Sequence, residues 1–226
     1  MTQSPVQTLF NLPLSQQAYV QMLQLEAMIQ QHHSPNSTDK WSYIWNSNQF
    51  SVKKAYRQLK GHISLHLVYK WLWKSSCQKK HKVFFWLLIN DRLSMRALLK
   101  RKRMVLPNYS CIHCPAMVEE STFHLFLDCP YARQCWAWLN LQVNQLLDPF
   151  QILQSFRNQL QVPFSMEILT LMCWIMWKAR NDWIFRLIEP DLQSSKLSFR
   201  TELQWLSLRL KRRHLEVFQQ WISSLS

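Results

Sequence analysis

Cys111, Cys114, His124 and Cys129 follow one another in the spacing C-x2-C-x9-H-x4-C. Thiolate sulfur and neutral imidazole nitrogen are the donors that Zn²⁺ prefers, and four of them close a tetrahedral shell with no position left for a substrate. The chemistry this pattern implies is therefore one structural zinc rather than a catalytic one. The competing reading is three ordinary buried thiols and a core histidine. A lone Cys-x2-Cys would not separate the two, but a His and a third Cys at short spacing favour the metal. His113, between the first pair, and Cys135, six residues past the last Cys, are possible substitute ligands. They read more simply as a surface His and a core Cys.

The second chemical signal is charge. The net charge is +14, and it is concentrated. Residues 70–103 hold eleven Lys and Arg against the single acid Asp91, whereas residues 1–50 hold Lys40 against Glu26 and Asp39. Lys79, Lys80 and Lys82 open this basic tract. Arg92, Arg96, Lys100, Arg101, Lys102 and Arg103 close it. On one continuous helix Arg92, Arg96, Lys100 and Arg103 would fall at i, i+4, i+8 and i+11, along one face. Such a stripe can track phosphates; four to six contacts would give a log–log salt slope of roughly −3 to −5. The bland alternative is a solvated cationic face. Nearby aromatic rings can stack unpaired bases, but the spacing of Trp86, Trp136, Trp174 and Trp177 predicts that these four lie in the core.

Other chemistries are excluded. Gly61 is the only glycine, so phosphate-cradling loops and dinucleotide fingerprints are ruled out. The 13 acidic residues include no converging pair suited to two-metal nucleotidyl transfer, and Glu119-Glu120 reads as a local charge partner. No hydrolase or metalloprotease signature occurs. The chain is expected not to be an enzyme. Its longest notable apolar run, Ile168 to Trp177, is about half the ~20 residues a bilayer requires, so no membrane partner is expected. With no secretory signal and Cys residues at ligand spacing, the chain reads as intracellular. The run Lys100–Arg103 suggests the nucleus.

These residues need a scaffold. Hydrophobic residues make up 48% of the chain, with 12 Trp and 12 Phe, which predicts thick, aromatic-rich helix packing. Apolar spacing predicts a helix over 14–31, then a polar connector over 32–39. Alternation of Trp41, Tyr43 and Trp45, a turn at 46–49, and Phe50 and Val52 predict a short β-hairpin. Ser51 caps a helix stopped near Gly61, and another helix runs from Val68 to Lys74. The apolar run 83–89 reads as buried and continues into the basic tract as one helix ended by Pro107. Pro130 starts a helix to about Leu141. Pro149 and Pro163 mark breaks, and long helices follow at about 165–187 and 195–222. The expected fold is mainly α: a helical zinc-binding domain with a short N-terminal β-hairpin and a C-terminal helical segment. The divisions are 1–40, 41–140 and 141–226.

Several stretches taken in order resemble the reverse transcriptase zinc-binding domain of plant LINE-type (non-LTR) retrotransposons. They are Phe50-Ser-Val-Lys-Lys-Ala-Tyr56, Trp71-Leu-Trp-Lys74, His81-Lys-Val-Phe-Phe-Trp86 and Asp91-Arg-Leu93. Cys111-Ile-His-Cys114 follows, then Glu120-Ser-Thr-Phe-His124-Leu-Phe-Leu-Asp-Cys129-Pro-Tyr-Ala132 and Trp136. Trp174-Ile-Met-Trp-Lys-Ala-Arg-Asn-Asp-Trp-Ile-Phe185 resembles the helical segment that follows that domain. The resemblance is densest over 41–140 and implies Cys111, Cys114, His124 and Cys129 as zinc ligands. It implies binding of RNA or DNA, with a polymerase supplied by another chain as a possible partner. An alternative implied function is a zinc-stabilised protein-interaction module docking on that polymerase, or an element remnant without function. With no polymerase before Met1 and no RNase H after Ser226, the chain is expected to be a domesticated fragment, a truncated element or a gene-model remnant.

Overall fold

A computed structural model describes residues 14–31, 42–45, 47, 49–61, 66–114 and 116–225. The chain divides into two compact units, Met1–Ile63 and Ser64–Ser226. In the first, α1 spans Gln16–Gln31 and α2 spans Val52–Lys60. Ser51 caps α2 by accepting a hydrogen bond from the Lys54 N–H, and Gly61, at φ +69°, ends it. The predicted hairpin is not supported. Trp41, Asn46 and Asn48 lie outside the described residues, as does the 32–39 connector. The rest form a single antiparallel bridge, Tyr43 to Ser47, around a turn at 44–45. Tyr43 and Trp45 stack face to face, 4.8 Å apart, closer than the roughly 6.6 Å between residues two apart on one face of a strand.

The second unit is built from helices, and among its described residues no strand forms. In order they are α3 (Leu67–Lys74), α4 (Lys79–Ile89), α5 (Arg96–Arg101), a five-residue π-helical turn (His124–Asp128) and α6 (Pro130–Trp138). Then come α7 (Pro149–Leu160), α8 (Ser165–Arg186), α9 (Leu192–Ser207), a 3₁₀ turn (Arg212–His214) and α10 (Leu215–Ser223). The 22-residue α8 is the central strut, buried along most of its length and packed by α3, α4, α7 and α9. Phe85, Trp136, Phe156, Leu171, Met176 and Phe199 fill the space around it. No single helix among the described residues is long and apolar enough to cross a membrane.

Three of the expected elements differ. The predicted helix over 83–103 is two helices. α4 starts earlier, at Lys79, and closes after Ile89 when Asp91 turns left-handed (φ +51°). The Arg92 N–H then bonds the Leu87 carbonyl and the Asp91 N–H that of Leu88, the paired bonds of a Schellman ending. α5 ends the same way at Arg103, and α6 at Asn140. The predicted 195–222 helix is likewise broken, into α9, the 3₁₀ turn and α10. α7 was not expected. It starts at Pro149, which reads as a break yet here occupies the first turn, where its missing N–H is harmless. Asp148 and Gln151 close a reciprocal capping box in front of it.

Of the four tryptophans expected in the core, one is buried there. Trp136 is fully buried and donates from Nε1 to the Phe126 carbonyl at 2.6 Å. Trp86, Trp174 and Trp177 are only partly buried and pack against the core from its edge. Within the 83–89 run, Phe84, Phe85 and Leu88 are buried but Val83 is half exposed.

Candidate metal centre

The first ligand pair sits on a knuckle. Residues 109–111 and 118–120 run antiparallel, bridged at Ser110 and Glu119. The Cys111 N–H donates to Val118 O at 2.7 Å and the Glu120 N–H to Tyr109 O at 2.9 Å. Cys111 and Cys114 lie on the loop this frame closes. The second pair comes from the π-helical turn. Ser121 Oγ accepts from the His124 N–H at 3.1 Å and starts the turn. The Cys129 N–H closes it onto His124 O at 2.7 Å, an i→i+5 bond. That closure matters for ligation. At 3.6 residues per turn, residues five apart on an α-helix point about 140° away from each other. The wider turn stacks Cys129 over His124 instead. Cys129 then leads directly into Pro130 at the first position of α6.

The four donor atoms all lie within 4.8 Å of one another. Cys111 Sγ and Cys129 Sγ are 3.9 Å apart, and Cys114 Sγ and His124 Nε2 are 3.3 Å apart. A tetrahedral ion with bonds of about 2.3 Å to sulfur and about 2.0 Å to nitrogen requires donor separations of roughly 3.6–3.8 Å. The residues thus fit a metal ion with little movement. All four are buried, with Cys129 wholly inaccessible. The Cys111 thiol, hydrogen-bonded to Cys129 and buried, is pushed up, and the same bond holds Cys129 below the usual thiol range. A bound cation would replace the Cys111 proton and stabilise both thiolates.

Behind the ligands stands a second layer. Asp128 Oδ2 lies 3.5 Å from His124 Nδ1, at ion-pair distance but without the alignment of a hydrogen bond. The Arg133 guanidinium and the Gln145 amide both donate to Asp128 Oδ1, and Arg133 holds its carboxyl below the usual range. A carboxylate behind a ligating imidazole fixes which ring nitrogen faces the metal. His113 is turned away from the cluster, edge-on to the Tyr131 ring at 4.8 Å, and burial lowers its pKa to about 4. Cys135 is buried beside Tyr131, and its thiol is pushed up to about 12 by burial. Neither joins the group.

Glu120 was read as a local charge partner, and only Glu119 is one, to Lys100 at 3.0 Å. Glu120 is fully buried and reaches across the unit to Arg180 on α8. Oε1 accepts from Nη2 at 2.6 Å and Oε2 from Nε at 3.3 Å. Oε1 also accepts the Arg96 N–H, and the Glu120 carbonyl accepts the Ala97 N–H, so the knuckle holds the start of α5 as well. A signal for this was present. Arg180 follows Cys173 and Met176 at helical spacing, on a face otherwise apolar, and a charge there requires a partner.

The basic residues do not form the single helical face expected of them, because the chain breaks between α4 and α5. Lys79, Lys80 and Lys82 lie in the first turn of α4, Arg92 in the connection, Arg96, Lys100 and Arg101 on α5, and Lys102 and Arg103 just past it. Several are engaged. Arg101 pairs with Asp91 at 2.5 Å, Arg96 Nη1 donates to Ser110 O, and Lys82 Nζ donates to Trp73 O. Lys79, Lys80, Arg92, Lys102 and Arg103 are exposed and make no ion pair among the described residues.

Residues 50–136, well under half of the chain, match the protein family described as zinc-binding in reverse transcriptase. The matched segment contains all four clustered ligands. No curated protein and no solved structure matches the chain.

Proposed function

We propose that the chain is a non-catalytic, nucleic-acid-binding module with one structural zinc, derived from the reverse transcriptase polyprotein of a plant LINE-type element. The observation that carries this is the convergence of three thiols and one imidazole within 4.8 Å of one another, inside the segment that matches a reverse transcriptase zinc-binding family. Zn²⁺ is the ion such a donor set selects. It would be held by Cys111, Cys114, His124 and Cys129. Its contribution would be structural, tying the knuckle to the π-helical turn. A non-catalytic role is supported by the closed donor shell and by the carboxylates around it, each of which is taken up by a cation. Binding of RNA or DNA is supported by the exposed cations at Lys79, Lys80, Arg92, Lys102 and Arg103. Nuclear residence fits the Lys100–Arg103 run.

Two measurements on the purified chain test this reading. Elemental analysis should return one zinc per chain. Titration of labelled RNA and DNA should give affinity that falls steeply between about 50 and about 200 mM salt. Well-folded protein without zinc, or binding indifferent to salt, would overturn it. A second reading, docking on a polymerase supplied by another chain, is favoured by one observation. The apolar side chains of α2, Val52, Tyr56 and Leu59, are 72%, 60% and 82% exposed. That reading predicts salt-insensitive association with the polymerase.

A further inference from the structure

We propose that the cleft between α4 and α8 receives an unpaired nucleic-acid strand, stacking its bases on Trp174 and Trp177 while Lys79, Lys80 and Arg92 hold its phosphates. This rests on the nucleic-acid reading above and narrows it to single strands. The cleft is shallow and open to solvent along one side, with a volume of about 560 Å³. The two indoles form part of its lining and the three cations stand among its other lining residues; no carboxylate lines it. Trp174 is braced on one side by His81, 5.0 Å away, and by Phe84, edge-on at 5.2 Å. Trp177 is braced by Phe84 at 6.2 Å and by the buried Arg180 guanidinium at 5.0 Å. The rings are therefore fixed in orientation yet only partly buried, as a stacking platform must be.

The charge arrangement points the same way. Cations in the first turn of a helix oppose its dipole, which already presents positive potential there. α4 nonetheless begins with Lys79, Lys80 and Lys82, has no acid in its first turn, and has no side-chain hydrogen bond at its N-cap Gln78. Lys80 Nζ lies 5.6 Å from the centre of the Trp174 ring. An anionic backbone beside these lysines relieves a repulsion the fold otherwise carries. Aromatic rings recessed among cations can be reached by a splayed base but not by a base held inside a duplex, so the cleft discriminates between them.

The test uses the full zinc-loaded chain with labelled oligouridine, oligothymidine and a DNA duplex of equal length. Either single strand should bind at least about tenfold more tightly than the duplex and quench tryptophan fluorescence. Trp174→Leu should weaken single-strand binding about fivefold or more with an unchanged salt slope, since base stacking contributes ~1–3 kcal/mol. Trp174→Phe should retain most of the affinity, and Lys80→Gln should reduce the slope by about 0.7. Trp177→Leu provides a second probe; each variant is first checked for zinc content and melting. Tryptophan variants that fold and bind single strands like the wild type, or a duplex bound equally well, would overturn the cleft assignment while leaving nucleic-acid binding intact. A wild-type chain that binds neither form would overturn the wider reading instead.

Discussion

Arg180→Met removes a guanidinium whose only acidic partner among the described residues, Glu120, has no exposed surface. The contacts at 2.6 and 3.3 Å correspond to an attraction of about 5 kcal/mol at the effective dielectric of protein interiors. Desolvating the two ions cancels most of that, so the intact pair adds little net stability. Breaking it is a different matter. The carboxylate keeps one backbone donor, the Arg96 N–H at 3.1 Å, but remains a buried charge without a counter-ion. The expected loss is about 3–5 kcal/mol, a large part of the stability of a domain this size. Urea unfolding of zinc-loaded protein, followed by tryptophan fluorescence, measures it. The double variant Glu120→Met with Arg180→Met should recover most of the loss, because two apolar side chains replace the pair. A single variant within about 1 kcal/mol of wild type, or a double variant no better than the single, would refute the reasoning.

Three other outcomes are expected. His124→Ala, and separately Cys129→Ser, should lose or greatly weaken zinc binding and unfold the region of about 108–136, read by elemental analysis and by proteolysis of the knuckle. His81 is wholly buried, and burial, with Lys80, Arg209 and Lys178 nearby, lowers its pKa from 6.5 to about 4. The unfolded chain therefore takes up a proton that the folded chain refuses between those values, and stability falls as pH drops through that window. His81→Phe should remove about 2 kcal/mol of the decline between about pH 6.5 and about 5, seen by comparing urea midpoints with wild type. Asp148→Ala removes the acceptor of the Phe150 and Gln151 N–H groups and should lower the stability of α7 by about 1 kcal/mol, measured by thermal melting.

The cluster of Cys111, Cys114, His124 and Cys129 was legible because a metal-binding pattern is written in residue type and spacing, and both survive folding. The helices at 14–31, 68–74 and 165–187 were legible because their apolar periodicity is strong. The missed break between α4 and α5 and the ends of α5 and α6 share one cause. Helix ends are usually read from glycine, and this chain has only Gly61. α4, α5 and α6 end instead on left-handed Asp91, Arg103 and Asn140, and an Asp or Arg in that role looks like any other polar residue. The 83–103 tract therefore read as one rod, and its cations as one stripe. The pairing of Glu120 with Arg180 spans 60 residues of sequence, a distance over which spacing carries no information. Trp174 and Trp177 were read as core because their helical spacing is that of a buried helix; periodicity does not say which edge of that helix α4 leaves uncovered.

The π-helical turn between His124 and Cys129 has a consequence for how this sequence can change. In an ordinary helix the loss of a residue shifts everything beyond it by 100°, and a flexible neighbour can absorb the shift. Here the i→i+5 closure and the ligand spacing are the same constraint counted twice. Winding residues 124–129 as an ordinary α-helix would swing the thiol about 140° from the imidazole, whereas removing one residue together with the wide turn would leave the two four apart and on one face, about 40° off. What the site cannot absorb is a mismatch between the width of the turn and the number of residues in it. Turn width and residue count are two settings of one device, and a change in either is tolerated only with the matching change in the other.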